Sequence, residues 1–184
     1  MDRLSINDVV ELGIYFYPKG EEPRNRTRLY ALSGLGEGGI DVRPHETAMV
    51  QQYHVVEAPV RLENFQPHLH IVGKAMSLEA IYPDGTREVL SKVDNFQWQW
   101  HNTYIYADDA APLIPAGTTL VVTAWYDSTE NNPNAPDLRQ WDGYGDRTVD
   151  EMSHARVNFI YLEQEEFDQL VAEREARNAA EDVD

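Results

Sequence analysis

No cysteine occurs in the 184 residues. That absence excludes a disulfide framework, thiolate metal ligands and a cysteine nucleophile together, so any metal site must use histidine, methionine or carboxylates. Basic residues are scarce too. Fifteen Lys and Arg face 32 Asp and Glu, a formal net charge of −17, and a field of that sign disfavours nucleic acid and anionic lipid as partners. The acidity is uneven: residues 163–184 carry nine acids and two arginines, a net of −7, which leaves −10 for the other 162 residues. The terminal stretch reads as a solvating tail. No apolar run approaches the eighteen or so residues of a membrane span, so membrane insertion is not expected, and the lack of a signal peptide ahead of Leu4 fits a cytosolic protein and a processed fragment equally. Two catalytic motifs are missing. GLGEGG (34–39) lacks the strand–loop–helix setting of a phosphate-binding loop, and no G-x-S-x-G elbow is present.

What the chain does have is enough apolar and aromatic material for a core: 42% hydrophobic residues, with ten Tyr, five Phe and four Trp. Its pattern is mostly β up to about residue 162. Strands are expected over ELGIYFY (11–17), RLYAL (28–32), AMVQQYHVVE (48–57), VRLENF (60–65), FQWQWHNTYIY (96–106), TLVVTAWY (119–126) and ARVNFIYL (155–162). A hairpin is expected over 75–93, where Met76, Leu78, Ala80 and Tyr82 alternate onto one face and Pro83-Asp84-Gly85 supplies the turn. GLGEGG reads as a flexible connector, and 127–149 as a long polar loop of the kind that often carries function. From Glu163 the period changes: Phe167, Leu170 and Val171 fall at i, i+3 and i+4, predicting a short C-terminal helix that frays. The expected organisation is an all-β antiparallel β-sandwich, jelly-roll-like, over 1–162, followed by an acidic helix and tail over 163–184.

Only six histidines are present, and two of them, His68 and His70, stand one residue apart directly after Pro67. In an extended strand residues i and i+2 share a face, about 6.5–7 Å apart, so two such imidazoles can reach one ion. Pro67 favours an edge or strand-start position, where a ligand can approach. The bland reading is a pair of half-exposed surface histidines. A cupin-type site is excluded by spacing: the next carboxylate, Glu79, comes nine residues after His70, where a cupin has its glutamate about four residues on. Met152, read alone, is core packing; read beside two imidazoles, a soft thioether suits Cu(I) and favours copper over zinc.

PHLHIVGK, the YPDG hairpin, AWYDS…NNPN and DEM, in that order, resemble the C-terminal catalytic-copper domain of the type II, ascorbate-dependent copper monooxygenases. This is the family of peptidylglycine α-hydroxylating and dopamine β-monooxygenase, and the chain looks closer to their bacterial relatives. The resemblance covers roughly residues 11–162. It implies one copper held by His68, His70 and Met152 as ligands and catalytic residues, O2 as co-substrate, ascorbate or another reductant as electron source, and hydroxylation of a substrate C–H bond. It also implies a second, electron-entry copper domain or other subunits as partners, and a periplasmic or extracellular home.

Departures from the family pattern limit what is implied. Gln66 stands where the peptide-hydroxylating enzyme has an arginine for the substrate carboxylate, and Arg156 replaces a tyrosine four residues after the methionine, so a peptide with a free carboxylate is not expected. Ser153 and Trp125 fall where the animal enzymes have a cysteine pair. The remaining histidines, His45, His54, His101 and His154, fit none of the electron-entry motifs. A rival reading therefore stays open: a non-catalytic copper-binding or structural, assembly β-sandwich. Among further candidates, His154 offers a fourth ligand or a group behind the ligands, with an exposed or hydrogen-bonded histidine as the commoner reading, and His101 reads as a polar group beside aromatics rather than a lining of the same cavity. Asp150 with Glu151, and Asp142 with Asp146, are hard-metal candidates whose bland reading is a solvated acidic loop. Trp98, Trp100, Tyr104 and Tyr106 are expected in the core, and Asn25 heads an N-x-T glycosylation pattern.

Overall fold

The computed structural model describes residues 9–33 and 39–181. Among them eleven strands and one helix follow in chain order: β1 (Thr27–Leu32), β2 (Asp41–Val42), β3 (Thr47–Val55), β4 (Val60–His68), β5 (Gly73–Ile81), β6 (Arg87–Val93), β7 (Tyr104–Ile105), β8 (Leu113–Ile114), β9 (Thr119–Asp127), β10 (Asp142–Gly143), β11 (His154–Tyr161) and α1 (Gln164–Glu181). One sheet has the order β1-β11-β4-β7, with β8 also on β4; a second has the order β3-β9-β5-β6; β2 and β10 form a small ribbon. Every strand pairing is antiparallel.

Period-two alternation makes this a jelly-roll-like sandwich. Leu62 and Phe65 of β4 and Val157 and Phe159 of β11 turn inward, where they join Met76, Leu78 and Ala80 of β5 and Leu120, Val122 and Ala124 of β9 in one buried cluster. Each of the larger side chains contributes about 1.5–3 kcal/mol by leaving water. The β5–β6 hairpin turns as its residues dictate: Gly85 adopts a φ of 85°, and Asp84 Oδ1 accepts from the Thr86 amide at 2.9 Å and from its hydroxyl at 2.7 Å.

α1 closes one end. Phe167, with Leu170 and Val171, packs on Leu113, Ile160 and Leu162. Further along, Arg174 and Arg177 donate to the carbonyls of Ala111 and Asp109 at 2.8 and 2.9 Å, so the helix runs 18 residues and is longer than its apolar triplet suggests. No described helix is long and apolar enough to cross a membrane.

Three expectations are corrected. ELGIYFY forms no strand: Ile14, Tyr15 and Phe16 are 62%, 98% and 85% exposed, and no described strand takes up the backbone hydrogen bonds that its β-prone residues need. The strand expected over 96–106 shrinks to Tyr104–Ile105, because the Trp100 amide turns back onto the Gln97 carbonyl at 2.8 Å. In consequence Trp100 and Tyr104 are exposed, while Trp98 and Tyr106 do pack against the core. The GLGEGG connector lies, at 34–38, outside the described residues.

Candidate metal centre

The register of β4 against β11 sets His68 directly opposite His154, Gln66 opposite Arg156 and Asn64 opposite Asn158. Phe65, Ala155 and Val157 between them are buried, so alternation places these polar pairs on the outer face of the sheet. The histidines therefore sit outside the sandwich core, at the end of β4. Pro67 fits there because β7 covers only Asn64 and Phe65 on the far edge of β4, and beyond them no described strand needs an amide from that edge. The edge is served by a side chain: Gln66 Nε2 donates to the His101 carbonyl and to Thr103 Oγ1, both at 2.9 Å.

After His68 the chain crosses to the second sheet through a tight turn, with the Gly73 amide on the His70 carbonyl at 3.2 Å. A Cβ on Gly73 would collide with the Leu69 side chain, so the turn requires glycine. Crossing strands strand their amides, and buried amides need acceptors. Glu151 supplies them: its Oε2 accepts from the His70 N–H at 2.9 Å and its Oε1 from the Val72 N–H at 2.8 Å. Burial pushes this carboxyl up to about 8, while the amides of Val72, His70 and Met152 pull the other way.

His70 Nδ1 lies 2.9 Å from the Asp150 carbonyl. A carbonyl only accepts, so Nδ1 carries a proton, and a metal would find its lone pair on Nε2. Its neighbours hold the half-buried Met152 in place: Tyr126 donates to the Met152 carbonyl at 2.8 Å, and Gln52 donates to Ser153 Oγ at 2.6 Å. Asp150 and Glu151 both bond to His70, so Met152, the next residue, lies on a segment adjoining that histidine. The three residues expected to act together are thus brought onto adjoining segments.

His154, a candidate fourth ligand, and His101, read as a polar group beside aromatics, join the group. The His68 ring lies 5.5 Å from His70, 5.7 Å from His154 and 4.5 Å from His101, centroid to centroid, and His68 Nδ1 meets His101 Nδ1 at 2.9 Å. Burial pushes His68 down to about 3, and the Arg156 guanidinium and the neighbouring imidazoles add to it. His101 and His154 are lowered too, by burial first and then by Arg156. Neutral imidazoles are what a metal requires.

Among the described residues no three His, Asp or Glu side chains converge as a metal-ligand set. Two imidazoles with a thioether such as that of Met152 would fit Cu(I) by donor type. The hard-metal candidates are engaged elsewhere or apart: Asp150 pairs with Arg147 at 2.6 Å, Glu151 is taken up by backbone amides, and Asp142 is buried while Asp146 is exposed. His45 pairs with Glu130, and His54 lies on β3 of the other sheet.

No family model and no curated protein matches the chain. Solved structures with some likeness are those of the infectious bursal disease virus Gx strain (11% identity, TM-score 0.35, 84% of this chain and 38% of that one), the infectious bursal disease virus VP2 subviral particle (12%, 0.30, 74% and 32%) and the infectious bursal disease virus Gt strain (13%, 0.30, 73% and 31%). This chain spans about a third of their length. Likeness at this level carries no information on function.

Proposed function

We propose that this chain is the copper-binding domain of a copper-dependent monooxygenase that hydroxylates a substrate C–H bond with O2, its single copper held by His68, His70 and Met152. The observation that carries this reading is the hydrogen-bonding state of His70. Its Nδ1 proton is spent on the Asp150 carbonyl and its amide on Glu151, the residue next to Met152, so the short segment that aims the imidazole also carries the proposed sulfur ligand. Copper, when bound, would supply O2 activation, drawing electrons from ascorbate or another reductant.

The protein's part is positioning. Asp150 fixes which ring nitrogen of His70 is free, Glu151 fixes the turn beneath it, and Tyr126 fixes the backbone of Met152. Burial and Arg156 keep His68 neutral. Substrate and any electron-entry domain would approach across the outer face of the sheet. There a row of register partners, Leu29, Asn158, Asn64 and Ile105, runs from one edge to the other, apolar at both ends.

Ascorbate-driven O2 consumption by the copper-loaded protein, matched by a hydroxylated product and lost in His68→Ala and His70→Ala, is the expected result. Copper bound tightly without turnover under any reductant would leave the copper-binding or assembly module. Failure to bind copper would remove the metal reading altogether.

A further inference from the structure

His101 entered as a polar group beside aromatics, yet its ring is the one nearest His68. The two rings stand at 89° with centroids 4.5 Å apart, and the contact is nitrogen to nitrogen, Nδ1 to Nδ1 at 2.9 Å. Two bare lone pairs cannot face each other at that distance, and two N–H groups would collide. One proton therefore lies between the two nitrogens.

We propose that His101 is a positioning residue for the metal centre: its Nδ1 accepts the proton of His68 Nδ1, which leaves the His68 lone pair on Nε2, the ring's outer nitrogen. This rests on the copper reading for its consequence, though not for its geometry. One observation sets the direction. His70, the companion ligand, is held in the same state by the same device, an Nδ1 proton given to a fixed acceptor. Two histidines prepared alike present two Nε2 lone pairs before any ion arrives, and a metal then binds without reorganising either ring.

The scaffold around His101 fits a positioning role. Gln66, two residues before His68 on β4, holds the His101 carbonyl at 2.9 Å, and Phe96 packs on its ring at 5.7 Å between centroids. The irregular path of residues 96–103, which forms no strand, is what carries His101 over the end of β4.

The test begins without metal. In 15N-histidine-labelled protein, long-range 1H–15N correlations report which nitrogen of each ring is protonated. The expected result is His68 protonated at Nδ1 in the wild type, mixed or switched tautomers in His101→Phe, and the Nδ1 form restored in His101→Gln, whose amide oxygen also accepts. Cu(I) affinity should fall about ten- to hundredfold in His101→Phe and recover in His101→Gln, with the number of nitrogen scatterers at copper unchanged. A wild-type His68 protonated at Nε2, or a tautomer indifferent to His101→Phe, would overturn the proposal. So would loss of a nitrogen scatterer, since His101 would then be a ligand. Because the tautomers are read on metal-free protein, failure of the copper reading and failure of this inference are separately visible.

Discussion

Glu151 shows how much a single residue decides. It is fully buried, and both of its oxygens accept backbone amides from the segment that carries His70. Glu151→Gln places an NH2 against one of those amides, and an unsatisfied buried donor costs about 1–3 kcal/mol. Chemical denaturation should show a loss of that size, together with weaker Cu(I) binding because the turn beneath His70 loosens. Gly73→Ala, which meets Leu69, is expected to cost about 1–3 kcal/mol as overpacking does. Titration adds a signed prediction for the metal-free protein. His68, lowered to about 3, contributes stability that is present above its ordinary value near 6.5 and is lost as pH falls from there toward 3. Glu151, raised to about 8, acts in the opposite sense: its contribution is full below about 4.5 and is lost as pH rises toward 8. Unfolding followed against pH should therefore flatten on the acid side in His68→Gln. What was legible here follows from period: the i, i+2 spacing of His68 and His70 and the shared parity of Met152 and His154 are sequence facts. The work of Glu151 was not legible, because its partners are backbone amides that no residue type advertises. Nor was the contact of His101 with His68, which depends on an irregular segment.

At the scale of elements, β4 and β11 were readable because inward residues such as Phe65, Val157 and Phe159 alternate with outward ones on either side of a single bulge. The same propensity misled at ELGIYFY, where β-prone residues have no described neighbouring strand to pair with, and at 96–103, where a turn interrupts a run of aromatics. The helix was read from three apolar residues, but much of its length is fastened by arginines to carbonyls, which periodicity does not reveal. α1 lies against β8 and the Tyr161 end of β11, while the histidines lie at the His154 end. Phe167→Ala should accordingly cost about 3 kcal/mol of stability while leaving Cu(I) affinity within twofold of wild type, measured by denaturation and by competition with a chromogenic Cu(I) chelator. A large loss of affinity in that variant would mean the two ends of the sandwich are coupled.

For the whole molecule, the sandwich delivers one thing: two strands of one sheet, β4 and β11, end together, and the chain leaves one of them and enters the other through segments bonded to each other. Composition fixed the boundary conditions. Without cysteine any sulfur donor can only be methionine, and with a net charge of −17 the half-buried Arg156 guanidinium beside three imidazoles is a local exception in an acidic protein. The central claim is that two imidazoles and one thioether form a single copper site. The measurement that addresses it most directly is X-ray absorption on protein loaded anaerobically with one equivalent of Cu(I), comparing wild type with Met152→Ala. Two nitrogen scatterers and one sulfur, with the sulfur absent from the variant, is the predicted result. A wild-type site without sulfur, or copper that does not bind, would contradict the account.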